Sequence, residues 1–460
     1  MPPRQSEEPI LSRAQFLIAA FLLGGFAPLA AAGVPRATAA QPANLVLITL
    51  DCVRADHLGA YGYPLPTSPN LDRLAARGVR FETVIAQIPL TGPSHATMMT
   101  GLYPHDHGAV RNGVPLPERA VTLAERLREA GYRTGAFLSG WTLRATLSGL
   151  SQGFDEYDDR MQDRYRLVNS QRFAHQVTPQ AIRWVEENAS GPFFLWVHYF
   201  DPHAPYLRRR PFFDALAAGG GPRPDGFPRR ALRYDSEIHY ADAWIGRLLA
   251  ELRRRGLEHR TLVVVTGDHG ESLGERGRFG HGRHLHEEVL RVPLILAWPG
   301  TLPEGMLVRD PAAHLDLAPT ILALLELPPL DRIDGIDLTP AIRGCAADRP
   351  KPERRIGFET YPGARKKFWR IFSVPVSMTP TLIGYRAGDL KFVYDVRRGL
   401  AQLFDLASAG EDVNLIQKYP ALRGLGPELV RAIVSSSSSP GVETLDPEDA
   451  ERLRSLGYVQ

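Results

Sequence analysis

The stretch Pro89-Leu90-Thr91-Gly92-Pro93-Ser94-His95-Ala96-Thr97-Met98-Met99-Thr100-Gly101 sets a hydroxyl at the opening of a helical segment. Gly92 and Pro93 suit the turn into that helix, because proline is favoured in a helix's first turn. The N–H groups at a helix N-terminus favour an anion, so Thr91 stands where a negatively charged group would be held. Two apolar runs each end in a carboxylate: Asn44 to Leu50 before Asp51, and Thr261 to Val265 before Thr266-Gly267-Asp268-His269-Gly270-Glu271. Such runs read as strands buried on both faces, as in a parallel sheet. Ligands gather at the carboxyl ends of these strands, so Asp51 and Asp268 can converge on one pocket. Carboxylate oxygens and imidazole nitrogens on a rigid frame hold divalent cations. Taken singly, an Asp closing a strand forms turns and a Thr before Gly-Pro caps a helix. Only their joint occurrence points to a site.

Further stretches extend the pattern. They are Arg54-Ala55-Asp56-His57-Leu58-Gly59, Thr67-Ser68-Pro69-Asn70-Leu71-Asp72, His198-Tyr199-Phe200-Asp201-Pro202-His203-Ala204-Pro205-Tyr206, and Gly280-His281-Gly282 leading into Glu287-Glu288-Val289-Leu290-Arg291-Val292-Pro293. In this order, from about Asn44 to the C-terminus, the chain resembles the sulfatase family of the alkaline-phosphatase superfamily. There the nucleophile opens a helix in the pattern nucleophile-x-Pro-Ser-Arg and is a Cys or Ser converted to a formylglycine hydrate. Here the nucleophile position is Thr91 and the Arg is His95.

The resemblance implies one divalent cation (Ca²⁺, Mg²⁺, Mn²⁺ or Zn²⁺) held by Asp51, the Thr91 hydroxyl, Asp268 and His269. It implies that His203 and His281 sit where sulfatases place a His and a Lys against the bound anion. An imidazole there can hold substrate oxygens or protonate a leaving group. His95, beside Thr91, joins the catalytic candidates. The Lys-Trp-x-His motif of sulfatases falls near Ser139-Gly140-Trp141-Thr142, where its Lys and His are missing.

Thr91 changes the expected chemistry. Formylglycine hydrate carries two hydroxyls on one carbon, so the second can expel sulfate by elimination. Thr has one hydroxyl and cannot become that hydrate, so no formylglycine is expected. A Thr ester must be cleaved by water or an alcohol attacking sulfur or phosphorus. The expected activity is metal-dependent hydrolysis of sulfuric or phosphoric esters with Thr91 as nucleophile, favouring phosphodiesters or phosphonates. A membrane-linked phospho-headgroup transferase and a catalytically silent binding protein are the alternatives. The expected partner is a small-molecule, glycan or lipid ester.

Composition narrows the class. With 54 basic and 51 acidic residues the net charge is +3, too balanced for a nucleic-acid surface. Two cysteines, Cys52 and Cys345, build no disulfide framework, and Cys52 reads as a buried thiol. Arg13, the apolar stretch Phe16 to Ala32 and the small residues Ala37 to Ala40 read as a secretory signal. This predicts export to the periplasm or cell exterior, with membrane attachment only if the segment stays uncleaved.

Apolar runs at Arg133 to Leu138, Phe193 to Val197, Thr261 to Thr266 and Val292 to Ala297 alternate with helical patterns, including Ala231 to Arg255. The expected fold is α/β, a large mainly parallel sheet flanked by helices. Residues 1–43 are assigned to the signal segment, 44–349 to the catalytic domain and 350–460 to a small C-terminal subdomain with antiparallel strands. Arg208 to Arg230 reads as a surface loop and Ser435 to Ser439 as a flexible stretch.

Overall fold

The computed structural model describes residues 43–161, 171–218, 229–344, 354–362 and 377–437. The signal segment, apart from its last residue, Cys345 and the expected boundary at 349/350 lie outside them. Eight strands form the main sheet: β1 (Asn44–Leu50), β2 (Val79–Phe81), β3 (Arg133–Phe137), β4 (Glu156–Asp158), β5 (Phe193–Tyr199), β6 (Thr261–Gly267), β7 (Leu294–Ala297) and β8 (Met306–Val308). Their order is β8-β2-β7-β6-β1-β5-β3-β4. Every pairing is parallel except the two made by β7. The expected mainly parallel α/β sheet is therefore the fold.

The helices that matter for the site are α1 (Pro69–Ala76), α2 (Thr91–Thr100), α3 (Ala174–Asn188), α4 (Arg229–Arg254), α5 (Leu317–Leu324) and α6 (Leu425–Ser436). One core lies between the sheet and α2 with α5, drawing on Leu45, Leu47, Ala96, Met98, Met99 and Ile321. The other lies beneath α1, α3 and α4, drawing on Val46, Ile48, Leu50, Leu71, Trp184 and Ile238. Helix α2 is buried all round, as a helix enclosed between layers must be. It stops at Gly101, whose φ of 67° closes the helix with an N–H bond to the Thr97 carbonyl.

Three details differ from the sequence reading. The run Val292 to Ala297 is split at Pro293, which has no N–H for a ladder. Arg291–Val292 pairs with Val84–Ile85 in a separate small sheet, and β7 starts at Leu294. The stretch Arg208 to Arg230 contains a short helix, Phe212–Ala218. Ser435 and Ser436 complete the last turn of α6.

The C-terminal sheet is antiparallel, in the order β9 (Arg355–Thr360), β10 (Leu382–Ala387), β11 (Leu390–Asp395), β12 (Leu400–Asp405). Alternation along β11 sends Leu390, Phe392 and Tyr394 toward α6 and Val393 toward Leu285, Val289 and Leu290 of the main body. Lys391 shares the second face. It is fully buried and pairs with Glu287 at 2.8 Å and Glu411 at 2.9 Å. Burial raises the Glu411 carboxyl, but Lys391 and His286 outweigh it and hold the pKa at about 2.

Lys391→Met keeps the volume and strands two carboxylates at this junction. Arg386 still pairs with Glu287 at 2.7 Å, so the expected loss is about 3 kcal/mol, the low end for breaking a buried pair. A depressed carboxylate contributes stability above its unfolded pKa and loses it as pH falls through the folded one. The gap between wild type and variant in urea unfolding should thus be full above about pH 5 and shrink toward pH 2.

Candidate active site

Residues two apart on a strand share a face. On β1, Leu45 and Leu47 face the α2 side, so Thr49 and Asp51 follow them. On β5, Phe194 and Trp196 bring His198 to that side, and on β6 Leu262 and Val264 bring Thr266 and Asp268. Register aligns the three strands: Thr49 lies opposite both His198 and Thr266. The strand ends are locked by Asp51 N–H donating to the Tyr199 carbonyl (2.8 Å) and Asp268 N–H to the Leu50 carbonyl (3.1 Å).

Above these ends sits the opening of α2. The Thr91 hydroxyl lies 3.4 Å from Asp51 Oδ2 and 3.5 Å from His269 Nε2. Ligand atoms of Asp51, Asp268 and His269 all lie within 4.8 Å of one another, every one of them buried. The structure therefore brings together Asp51, Thr91, Asp268 and His269 from three distant segments. His281 packs against His269, tilted by 40° with ring centroids 4.3 Å apart, and the His203 ring centroid lies 5.3 Å from that of His281. His203 and His281 thus adjoin the cluster.

His95 is placed one turn deeper. Its Nδ1–H donates to the Thr91 carbonyl (2.7 Å), so Nε2 must accept from the Thr49 hydroxyl (3.0 Å), which in turn accepts from Trp196 Nε1 (2.9 Å). Burial, with His198 nearby, pushes its pKa well down. A neutral ring with both nitrogens engaged is a brace for the start of α2. The helix start also supplies fewer N–H groups than its sequence suggests. Gly92 N–H donates to Asn112 Oδ1 (2.8 Å), Pro93 has none, and Ser94 N–H returns to the Leu90 carbonyl (2.9 Å).

Electrostatics separate the two carboxylates. Burial raises both. For Asp51 the His198 hydrogen bond and the charges of His203 and His269 reverse the effect, leaving it low. Asp268 stays well above the usual carboxylate range, from burial and then from Asp51 itself. One Asp268 oxygen accepts the N–H groups of His269 (2.7 Å) and Cys52 (3.0 Å). The other, Oδ2, is buried with no hydrogen-bond partner among the described residues. Cys52 adopts a left-handed φ of 61° to aim its N–H there, a conformation uncommon for a residue with a side chain. Burial and Asp51 push its thiol pKa up, in keeping with a buried thiol.

The imidazoles divide likewise. His269 Nδ1–H donates to the Gly270 carbonyl (3.0 Å), leaving Nε2 as a lone pair toward Thr91, and burial drops its pKa to about 3. Burial also lowers His203, whose Nδ1–H donates to the Ala204 carbonyl (2.6 Å). His281 is raised: burial opposes its charge, but Glu271 at 3.3 Å outweighs burial. An orphaned carboxylate oxygen, a second carboxylate, a neutral imidazole nitrogen and a hydroxyl form a donor set that fits a divalent cation.

Sequence reading missed four residues here. His198 Nε2 lies 3.4 Å from Asp51 Oδ2. Glu271, 3.3 Å from His281, raises the basicity of that ring. Asn112 holds Gly92, and its buried Nδ2 has no partner among the described residues. Ser94 donates to the Asp268 carbonyl (2.6 Å), pinning α2 to the end of β6. Strand parity could have found His198, the only one of the four inside a strand. Gly140, at the missing Lys, has no room for a side chain: a Cβ there would meet His198 Cε1 at 2.9 Å. Asp201 takes no part in the cluster, since it accepts from Ala174 N–H and Arg209.

Comparison with known proteins identifies the family. The Sulfatase family profile matches residues 43–327, and that of the N-sulphoglucosamine sulphohydrolase C-terminal region matches residues 274–414. The chain is 32% identical over 380 residues to N-acetylgalactosamine-6-sulfatase of Canis lupus familiaris, covering 70% of each protein. Among solved structures, Ps i-CgsB in complex with k-i-k-neocarrahexaose superposes with a TM-score of 0.70 at 22% identity, covering 91% of this chain and 98% of that one. Phosphonate monoester hydrolase SpPMH from Silicibacter pomeroyi gives 0.69 at 22% identity, covering 85% and 94%. The chain belongs to the sulfatase family. It is a hydrolase of ester bonds on an alkaline-phosphatase-like frame.

A cation in this donor set should stabilise the fold by mass action, by about 2.7 kcal/mol at a concentration near 100 times its Kd. Added Mn²⁺ or Ca²⁺ should therefore raise the melting temperature of chelator-treated protein. Asp268→Asn should abolish that rise, yet melt above metal-stripped wild type because it removes a buried like-charge contact. An equal rise in variant and wild type would place the cation elsewhere.

Proposed function

We propose that the protein hydrolyses a monoanionic sulfuric or phosphoric ester through an unmodified Thr91, with phosphodiesters or phosphonates preferred over sulfates. The observation that carries this reading is the Thr91 hydroxyl, set between Asp51 Oδ2 and His269 Nε2 at the start of a buried helix. Asp51, Thr91, Asp268 and His269 would hold one divalent cation. When bound, such a cation supplies Lewis-acid polarisation and eases loss of the hydroxyl proton.

The chain's own residues do the rest. Thr91 Oγ1 attacks the sulfur or phosphorus, and its proton has Asp51 within reach. His281, kept cationic by Glu271, holds an equatorial oxygen or protonates the departing oxygen. His203, kept neutral by burial, accepts a proton from water when the Thr91 ester is cleaved. His198 and the free amide hydrogens of Asn112 are placed to donate to substrate oxygens. His95 acts as a positioning residue: it fixes the Thr91 backbone through its carbonyl.

Preference for phosphorus rests on the breakdown step. A Thr ester has no second hydroxyl to expel sulfate, so water must attack the central atom of the intermediate, as is usual for phosphoryl enzymes. Relatives at both chemistries, a sulfatase and a phosphonate monoester hydrolase, share the frame. For export we propose a cleaved N-terminal signal. Among the described residues no helix is long and apolar enough to cross a membrane.

Turnover of matched nitrophenyl sulfate, phosphodiester and phosphonate esters by metal-loaded protein tests the reading. Thr91→Ala should lose about a thousandfold or more in kcat/KM, while Thr91→Ser should stay within roughly tenfold, since it keeps the hydroxyl and loses only packing. Efficient sulfate hydrolysis with rejection of every phosphorus ester would overturn the preference, and a fully active Thr91→Ala would remove the nucleophile.

A further inference from the structure

Of the run Arg208-Arg209-Arg210, just beyond His203, the outer two are surface residues with side chains 46% and 68% exposed. Arg209 turns inward and keeps 15%. Its guanidinium carbon lies between two rings, 4.2 Å from the centre of Phe173, which precedes α3, and 4.3 Å from that of Tyr240 on α4. In this slot Nε donates to Glu237 Oε2 of α4 (2.6 Å) and Nη2 to Asp201 Oδ1 (3.1 Å). Both acids are 1% exposed. Burial raises their pKa values, Asp201 to about 6 and Glu237 to about 8, and Arg209 is the main influence holding each down. Among the described residues no other ion pair reaches either of them.

Asp201 lies on the turn after β5 that carries His203. The His203 N–H donates to the Phe200 carbonyl (3.0 Å), its ring stacks on Phe200 at 4.3 Å, and its Nδ1–H donates to the Ala204 carbonyl. The ring therefore takes its direction from the turn. On the far side of His203, Leu207 N–H donates to Glu237 Oε1 (2.7 Å). Arg209 thus joins the acid before His203 to the acid that holds the chain after it. Buried ion pairs often add no more stability than apolar residues of the same volume, and their best attested use is to fix one geometry. A planar guanidinium clamped between rings fixes the direction of its fork as an ammonium cannot.

We propose that Arg209 is a positioning residue for His203: it clasps Asp201 against Glu237 and so fixes the turn that aims the His203 ring at the Thr91 ester. This rests on the hydrolytic reading above and adds the residue that keeps its second step in register. In that step a water oxygen bonds to the sulfur or phosphorus and Thr91 Oγ1 leaves with the bonding pair. The water proton passes to His203 Nε2, the nitrogen not committed to Ala204. Asp51 and Thr91 are held by β1 and α2, so opening the clasp slows breakdown of the ester and spares its formation.

The test begins without substrate. Diethyl pyrocarbonate modifies neutral imidazoles, and peptide masses locate the product on full-length protein. His203 and His314 are both buried, and burial lowers the pKa of both. Arg209→Met keeps the stem between the rings and removes the fork. It should raise the rate at His203 about tenfold, the scale of losing hydrogen bonds to a charged group, and leave His314 unchanged. Should that variant not fold, Asp201→Asn, which removes a buried charge, carries the same test with a rise of roughly threefold. No rise at His203, or an equal rise at His314, would overturn the clasp. With a nitrophenyl phosphodiester, Arg209→Met should lower kcat about tenfold, accumulate the Thr91 ester in acid-quenched protein, and add no further loss to His203→Ala. Losses that multiply also overturn the clasp. A selective rise at His203 without any ester on Thr91 sinks the hydrolytic reading alone.

Discussion

Two carboxylates, Asp51 and Asp268, are held side by side where water does not reach them. At the separation of their group, within 4.8 Å, two unit charges repel by roughly 3–4 kcal/mol at an effective dielectric of about 20. That is a sizeable share of the 5–15 kcal/mol by which a domain is stable (about this range is usual). The surrounding structure is arranged to tolerate the pair. Two backbone N–H groups converge on one Asp268 oxygen, one of them from Cys52 in a left-handed conformation. His198 faces Asp51, and the remaining Asp268 oxygen is left for a ligand. Functional sites commonly hold such strain at a cost to stability.

The pair exists because of strand register. Asp51 and Asp268 follow adjacent parallel strands whose residues are matched from Asn44 opposite Thr261 to Leu50 opposite Gly267. A slip of one residue would send every side chain of one strand to the other face. Thr49 would then leave His95, and Asp51 would turn toward α3 and α4. Packing enforces the register, since Leu45 and Leu47 fit one core while Val46, Ile48 and Leu50 fit the other. The geometry of the candidate site is in this sense a consequence of two apolar cores.

Much of this was legible in the residues. Long strands showed as apolar runs, and the carboxylates closing β1 and β6 could be paired before any coordinates. Three short strands, β2, β4 and β8, escaped because three residues carry no pattern. The antiparallel course of β7 depends on chain connectivity, which periodicity does not encode. The roles of His95 and Asn112 were opaque for another reason. A histidine at the old arginine position reads as an anion contact, but a tautomer fixed by Thr91, Thr49 and Trp196 makes it a brace. Asn112 lies in a turn with no periodic signature, and only its closeness to Gly92 gives it meaning.

Positive charge is distributed differently here from what the family resemblance implies. The Arg of the nucleophile motif is a buried neutral His95, and the Lys and His expected around Trp141 are Gly140 and Leu143. His198 packs against Gly140 so closely that a lysine could return only with a shift of that ring. His281, beside Glu271, is the candidate histidine whose basicity is raised, whereas His95, His203 and His269 are all lowered. Arg278, Arg283, Arg397 and Arg398 lie outside the cluster, along the open cleft that begins at Leu90, Asn112 and His281. Few fixed cations at the centre suit an ester with a single negative charge, since a dianion would need more compensation there. Compensation of an anion beside Thr91 therefore falls to His281, held against Glu271 at 3.3 Å, rather than to a fixed lysine or arginine of the motif.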